Sequence, residues 1–305
     1  MRHLKPLQTS SGDLLADRRA DYAEFLFGSG DHAAAAELML GAVELAPAWA
    51  MGWFRLGEMH EAAGNLAQAA EAWRMVLKLE PRDRPGAALK LELIGAAEAA
   101  DAPPSAFVEA LFDQYAPKFD DALVNKLEYR VPDLLAEAIR ATHAGRFGRA
   151  IDLGCGTGLM GERLRPFCDH LAGYDISAEM LRKAREKGVY DELVKADLQT
   201  LAYDGEPADL VTAADVFMYV GALDGVMKVA AAMLKQNGLF AFSVELLRGE
   251  GDFVLQPSRR YAHSEAYVGE TLGANGFAPL SIETAVIRQD RREPVDGLIV
   301  IARKG

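Results

Sequence analysis

The stretch Ala150-Ile151-Asp152-Leu153-Gly154-Cys155-Gly156-Thr157-Gly158 constrains the fold of this chain more than any other. It reads as a buried strand running straight into a glycine-rich turn, with a carboxylate just before the first glycine. Glycines at alternate positions permit positive φ and let the backbone approach a ligand without a Cβ in the way. The helix expected next, Leu159 to Arg165, aims its free N–H groups at the same place. Asp152 sets this turn apart from a phosphate loop. Its negative charge disfavours a pyrophosphate and favours a ligand that carries an ammonium group.

Two frames compete for the glycines. Gly156-Thr157-Gly158-Leu159-Met160-Gly161 fits a dinucleotide fingerprint, and Asp175 follows Gly156 by 19 positions, the spacing of a ribose-binding acid. That frame leaves Gly154 and Asp152 inside the strand, where glycine weakens pairing and a buried carboxylate needs a partner. In the other frame the strand ends at Asp152. The segment then resembles the cofactor-binding motif of class I S-adenosylmethionine-dependent methyltransferases, with Asp152 facing the methionine amine. A nicotinamide- or flavin-binding turn and a tight turn that binds nothing are the alternatives.

The chain has 305 residues, enough for two domains, and its composition is that of an ordinary soluble protein. A net charge of −12 and a pI near 5.1 argue against nucleic acid as the default partner. Met1 to Thr9 lacks an apolar core for a secretory signal, and no apolar run is long enough to span a bilayer. Cys155 lies in the glycine turn and Cys168 begins the next strand, so a reduced, cytoplasmic protein is the plain reading, with a disulfide or a catalytic thiol as lesser alternatives. No metal-ligand spacing stands out, and no metal is expected.

Residues up to about 100 carry a helical period, and they repeat. Gly30 and Gly64, Ala35 and Ala69, and Pro47 and Pro81 are each 34 residues apart. The fuller second copy, with Trp53, Leu56, Gly57, Gly64, Ala69, Trp73 and Pro81, resembles a tetratricopeptide repeat. The first copy has Arg19 where a large apolar residue is usual, and His60 departs in the second. A third copy near Gly86 gives one capping helix, Ala87 to Ala99. So short an array is expected to pack on the following domain, on a partner protein or on a second copy in a homodimer, because each repeat buries its apolar face only against neighbours. Its role is a groove for a partner or a helical support, and its Trp and Met residues read as core.

Asp101-Ala102-Pro103-Pro104-Ser105 marks the boundary between a helical domain, 1–102, and a second domain, 103–305, whose first part, 103–147, supplies a lid and leading helices. Strands are expected near 149–153, 169–175, 191–196, 208–214 and 237–245, with helices near 158–166, 178–187 and 222–235. This alternation calls for an α/β domain with a mostly parallel sheet and right-handed crossovers. Two late strands, 278–288 and 294–304, joined by a polar turn form a hairpin. The methyltransferase resemblance, over roughly 105–305, implies a seven-stranded Rossmann-like sheet whose last strand is antiparallel.

The same resemblance assigns S-adenosylmethionine contacts. Asp152 and the backbone of Gly154, Cys155, Gly156 and Gly158 hold the methionine part. Asp175 accepts the ribose hydroxyls and Ile176 packs on the adenine, with helix capping as the alternative role for Asp175. Asp197 and Leu198 meet the adenine amino group and a ring nitrogen, unless Asp197 is only an exposed loop residue. Asp215 ends the fourth strand facing the transferred methyl, and the segment Ala213 to Tyr219 lacks the Asn/Asp-Pro-Pro-Tyr of enzymes that methylate amino groups of adenine, cytosine or glutamine. The aromatic and acidic run Ala110 to Asp120, followed by Leu127 to Pro132, resembles a lid of small-molecule methyltransferases. Tyr115 or Tyr129 would then meet the sulfonium or the acceptor, and Arg130 the methionine carboxylate; plain packing is the alternative. With the repeats, the chain looks like bacterial repeat-containing predicted methyltransferases.

For the acceptor, Tyr219, Glu245, His263 and Tyr267 lie near the expected opening, with His263, Tyr219 and Tyr115 as catalytic candidates. Arg259-Arg260 could hold an anionic substrate, or be solvated while His263 begins a surface helix. Three functions stay open: a methyltransferase of a small molecule, a methyltransferase whose protein substrate docks on the repeats, and an interaction scaffold with a structural cofactor site. A nicotinamide-dependent oxidoreductase is a more distant fourth.

Overall fold

The computed structural model describes residues 9–121, 123, 127–290 and 292–305. The N-terminal stretch read for a secretory signal lies, up to residue 8, outside the described residues, as does residue 291 of the expected polar turn. Two compact units emerge, residues 1–107 and 108–305.

The first unit is helical: α1 (Leu14–Gly28), α2 (His32–Leu45), α3 (Ala50–Ala62), α4 (Leu66–Leu79) and α5 (Ala87–Leu93), each packed on the next. Small residues sit where helices meet, with Ala20, Ala23, Ala35, Ala69 and Ala72 all buried. Trp73, Met39, Leu56 and Met59 fill the spaces left between them. A Cβ at Gly57 would stand 2.2 Å from Trp73 Nε1, so the glycine makes the room that the indole occupies. The indole N–H in turn donates to the Phe54 carbonyl at 3.2 Å. Arg19 is at home in its anomalous position because its guanidinium donates to the Gly41 carbonyl at 2.9 Å.

The capping helix corrects the sequence expectation. It ends at Leu93 rather than Ala99, because Gly95 takes φ +70 and closes a Schellman turn. In that turn Gly95 N–H donates to the Glu92 carbonyl at 2.9 Å and Ala96 N–H to that of Leu91 at 2.8 Å.

In the second unit, α6 (Ser105–Tyr115) and α7 (Val131–Thr142) precede an α/β sheet. Its strands are β1 (Phe147–Leu153), β2 (Cys168–Asp175), β3 (Glu192–Lys195), β4 (Ala208–Ala213), β5 (Leu234–Leu246), β6 (Phe253–Leu255), β7 (Tyr261–His263), β8 (Phe277–Asp290) and β9 (Glu293–Lys304). The order β3-β2-β1-β4-β5 is parallel throughout. The last strand, β9, runs antiparallel to β5 and to β8. These seven strands are those the sequence implied. The hairpin of β6 and β7 is an addition: β7 pairs with the far end of β5 through Glu245–Ala262 and Leu246–His263. His263 therefore closes a strand and is buried, and the following helix begins at Glu265, so it does not open a surface helix.

Helices α8 (Leu159–Leu164), α9 (Ala178–Lys187), α10 (Asp224–Met233) and α11 (Glu265–Ala274) follow β1, β2, β4 and β7. They and α7 bury two apolar layers, one centred on Phe217, Phe240, Phe242 and Met227, the other on Ile139, Leu171 and Ile301. Strands covered on both faces explain the nearly unbroken apolar runs of β1, β4 and β5. No helix among the described residues is long and apolar enough to cross a membrane.

Gly57→Ala is expected to drive a methyl into the Trp73 indole, overpacking that costs roughly 1–3 kcal/mol. Thermal denaturation of the full chain followed by circular dichroism checks this; an unchanged Tm would show that Trp73 can yield.

Candidate cofactor and acceptor site

Parallel strands bring their carboxyl ends to one edge, where the order turns back between β1 and β4, the place at which open α/β sheets bind ligands. Asp152 near the end of β1 and Asp175 at the end of β2 are both buried there. β1 continues one residue past Asp152, to Leu153, and the turn starts at Gly154. This is not the dinucleotide frame, in which the strand would run to Gly156. Gly154 adopts φ +59, and a Cβ on it would lie 2.5 Å from Val216 Cγ2 beyond β4. Glycine is thus required both by backbone conformation and by the close approach of the β4 loop.

Asp175 ties this turn to β2. One carboxylate oxygen accepts Gly156 N–H and the other accepts Ser177 N–H, each at 2.8 Å. The helix cap that Asp175 could have supplied comes from Ser177, whose hydroxyl accepts Met180 N–H at 3.1 Å. Asp152 faces its neighbours differently. Thr212, its register partner on β4, donates a hydroxyl at 2.7 Å, and Tyr190 donates another at 2.6 Å.

Tyr190 was missed by sequence reasoning. It arrives from the loop after α9 and crosses β2 to reach Asp152, through a slot that glycines leave open. A Cβ at Gly173, the β2 partner of Asp152, would be 3.0 Å from the Tyr190 ring; one at Gly161 on α8 would be 2.4 Å from its hydroxyl end. Gly158 is similarly close, at 3.1 Å. Part of the glycine pattern therefore accommodates a tyrosine rather than a ligand. The signal available in the sequence was the unexplained Gly161 and Gly173.

Among the described residues, neither Asp152 nor Asp175 forms an ion pair. Burial pushes each carboxyl up to about 6, the donated hydrogen bonds only partly opposing it, and each has another aspartate nearby that adds to the rise. Cys155 is buried beside them, and desolvation raises its thiol well above the ordinary value. Cys168 is pushed up to about 12, and both cysteines are free.

The segment after α6 covers the glycine turn. Phe119 lies 3.8 Å from the position of a Gly156 Cβ, and the Thr157 hydroxyl donates to Asp120, which also pairs with Lys187 at 3.0 Å. Asp113 accepts the Ser177 hydroxyl at 2.5 Å, and Glu109 pairs with Lys195 at 2.5 Å. The Phe112 ring meets Phe119 and Tyr219 edge-on, with centroids 6.0 and 5.2 Å away. Tyr115 points elsewhere, 52% exposed, and Arg130 is also exposed. Tyr129 donates to the Ala214 carbonyl at 3.4 Å.

Asp197 accepts Gln199 N–H on one oxygen at 3.0 Å, leaving the other uncommitted among described contacts. Leu198 packs on the main core, and Ile176 is half-buried next to Asp175. At the far side Asp215 takes φ +60, with its N–H donating to the buried Ser243 hydroxyl at 2.9 Å. Its carboxylate is held by Arg288 Nη1 at 2.9 and 3.0 Å, while Nη2 of the same arginine binds Glu245. Burial works against the charged form of Arg288, but the Asp215 and Glu245 carboxylates outweigh it and hold the guanidinium above its ordinary value. Arg288, on β8, was not anticipated; an arginine in a late strand gives no local signal.

The base candidates are committed. Burial pushes the Tyr219 phenol up to about 12, so it is a hydrogen-bond donor at neutral pH. Burial lowers His263, which keeps its imidazole neutral; Nε2–H donates to the Gly221 carbonyl at 2.9 Å, and Nδ1 has no partner among the described residues. Tyr267 accepts Leu223 N–H at 2.9 Å, and its ring stacks on His263.

Residues 151–242 match the family model described as a methyltransferase domain, and residues 50–83 match that of a tetratricopeptide repeat. The chain carries a methyltransferase domain. Similar curated proteins include a malonyl-[acyl-carrier protein] O-methyltransferase of Enterobacter lignolyticus, 29% identical over 45% of this chain and 52% of the relative. A ubiquinone biosynthesis O-methyltransferase of Marinobacter nauticus is 33% identical over 32% of this chain and 44% of that protein. The chain thus spans about half the length of the curated relatives it matches. Among solved structures, the [4+2]-cyclase SpnF superposes with a TM-score of 0.56 at 20% identity, over 68% of this chain and 99% of that one. A Burkholderia thailandensis 1,6-didemethyltoxoflavin-N1-methyltransferase, solved with its substrate and S-adenosylhomocysteine, gives 0.52 at 19%, over 68% and 93%. These structures share the methyltransferase fold with the second unit.

Because the Asp152 and Asp175 carboxyls are raised from about 3.8 to about 6, the stability they contribute is full below the lower value and is lost as pH rises through the upper one. The ligand-free protein is expected to lose Tm from about pH 4 to about pH 6 on this account and to level off above that. Tyr190→Phe removes a donor from buried Asp152, at a cost of roughly 1–3 kcal/mol, and should extend that loss to higher pH, because the Tyr190 hydrogen bond holds the carboxyl down. A Tm series in pH for both proteins checks the prediction.

Proposed function

We propose that the chain is an S-adenosylmethionine-dependent methyltransferase of a small-molecule acceptor. The observation that carries this reading is the pair of buried carboxylates beside the glycine turn, neither matched by a cation among the described residues. A buried carboxylate without a countercharge is costly, and a ligand that brings an ammonium, a sulfonium and hydroxyls relieves the cost. The residues fit that ligand. Each Asp175 oxygen spends one lone pair on an N–H and keeps another for a ribose hydroxyl. Asp152 keeps its charge for the ammonium, Asp197 has an oxygen for the adenine amino group, and Leu198 offers a backbone N–H. Asp215 stands across the turn, held by Arg288. The fold alone does not choose the reaction, since a [4+2]-cyclase shares it.

When bound, S-adenosylmethionine supplies an electrophilic methyl on a leaving group that departs neutral. The protein's part is then alignment and exclusion of water. Phe112, Phe119 and the Asp113 and Asp120 hydrogen bonds close the segment over the turn. Tyr219 can donate a hydrogen bond from the acceptor side. With Glu245 paired to arginines and His263 buried, an acceptor already ionised at neutral pH suits the site, since it needs no base. The similar oxygen-methylating proteins support an oxygen acceptor.

A second reading draws on the tetratricopeptide match and on Tyr22 and Phe25 of α1, whose rings stack with centroids 6.0 Å apart on an exposed face. There the repeats receive a partner protein, which is either the substrate or a tether.

Calorimetric titration with S-adenosylmethionine is expected to show saturable binding that weakens as pH falls through about 6, because protonation removes the charges that attract the cation. Asp175→Ala should weaken it by about tenfold or more. Binding of NADH in preference would overturn the assignment.

A further inference from the structure

The acceptor side of the site carries a guanidinium, that of Arg260, which the described residues hold only at long range. Arg260 ends the tight turn between β6 and β7, in which Gln256 N–H donates to the Arg260 carbonyl and Arg259 N–H to the Gln256 carbonyl, both at 2.8 Å. The turn brings Arg260 to the ends of β5 and β8. There its Nη1 is 3.4 Å from Glu245 and its Nη2 is 3.5 Å from Asp290. Charge-assisted bonds of this kind close to about 2.7–2.9 Å when well made. Arg288, by contrast, holds Asp215 at 2.9 Å and takes the same Glu245 oxygen at closer range.

Exposure orders these charges from inside to outside. The side chains of Arg288, Asp215 and Glu245 are 2%, 8% and 10% exposed, that of Arg260 is 22% and that of Asp290 is 41%. Two carboxylates and two guanidiniums make the inner group neutral, and its outermost member is a cation. Water screens Asp290, which therefore neutralises Arg260 weakly. The Arg260 charge also reaches Tyr219, where it is the first influence opposing the rise that burial imposes on the phenol. Tyr219 in turn touches Phe112 of the covering segment. Arg260 thus belongs electrostatically to the acceptor end of the site.

We propose that Arg260 anchors a carboxylate of the acceptor, so that the substrates of this enzyme are carboxylate-bearing small molecules. The inference rests on the methyltransferase reading and gives it a substrate class. A planar anion with two oxygens matches the two guanidinium N–H groups now stretched toward Glu245 and Asp290. The exposed Asp290 side chain occupies part of that place and can swing into water when a ligand arrives. A phosphate fits less well, because its greater charge would lie against Glu245 and Asp290.

The test uses the full chain loaded with S-adenosylhomocysteine, and malonate as probe, with malonamide as its neutral counterpart and inorganic phosphate as the competing anion. Calorimetry is expected to show saturable binding of malonate and none of malonamide. Arg260→Gln should weaken malonate by about tenfold and Arg260→Lys by less, with the affinity for S-adenosylhomocysteine within about twofold of the parent in both. The proposal is overturned if malonate does not bind, if Arg260→Gln binds it equally, or if phosphate binds more tightly. It is also overturned if Arg260→Gln alone loses S-adenosylhomocysteine, since the arginine would then be a structural prop. Failure of the parent protein to bind S-adenosylhomocysteine would instead sink the methyltransferase reading itself.

Discussion

Two carboxylates buried side by side without a cation set the terms for the second unit. Asp152 and Asp175 are placed by adjacent parallel strands, so their proximity is a consequence of sheet order and cannot relax without breaking β1 from β2. The protein tempers the repulsion with donors, two hydroxyls for one and two backbone N–H groups for the other. Hydrogen bonds lessen the cost of a buried charge but do not cancel it. The remaining cost makes the turn receptive to a cation. The covering segment is held down by other means, since Asp120 and Asp113 accept hydroxyls that flank the same turn, and Asp113 adds to the charge that raises Asp175.

On the other side of the turn, charge is handled by pairing. Asp215 follows the end of β4 and Glu245 lies near the end of β5, and Arg288 on β8 meets both. Only because the last two strands form a long hairpin beside β5 can a residue so late in the chain arrive there. One edge of the sheet thus offers two regimes, carboxylates with no paired cation among the described residues near β1 and β2, and ion pairs near β5 and β8. A ligand with a positive part and an acceptor with a negative part would each find the matching half.

The periodic parts of this architecture were legible in the sequence. Strand–helix alternation, the glycine turn and the late hairpin follow from local patterns, and the 34-residue spacing of Gly30 and Gly64 announced the helical repeat. Where the reading ran out, the cause was contact between distant segments. The helix after Ala87 stops at Leu93 because Gly95 finds a left-handed turn, while composition alone favoured continuing. The strands Phe253–Leu255 and Tyr261–His263 are too short to show a period, and only their pairing with β5 defines them. His263 looked like a base because histidine so often is one. The structure buries it against Gly221, where it fixes the turn that carries Tyr219. Arg288 and Tyr190 had no local pattern to mark them.

The tyrosine slot also bears on how such a chain can change over time. Gly161 and Gly173 belong to different elements and never meet as neighbours in sequence; Gly161 is held bare by the ring of Tyr190, and Gly173 by that ring together with Cys155 and Leu193. A side chain at Gly161 becomes admissible only once position 190 is smaller, and a smaller residue there strips Asp152 of a donor. Positions 161 and 190 are therefore expected to drift as a pair across descendants of this chain, a covariation that comes from shape and not from contact with any substrate.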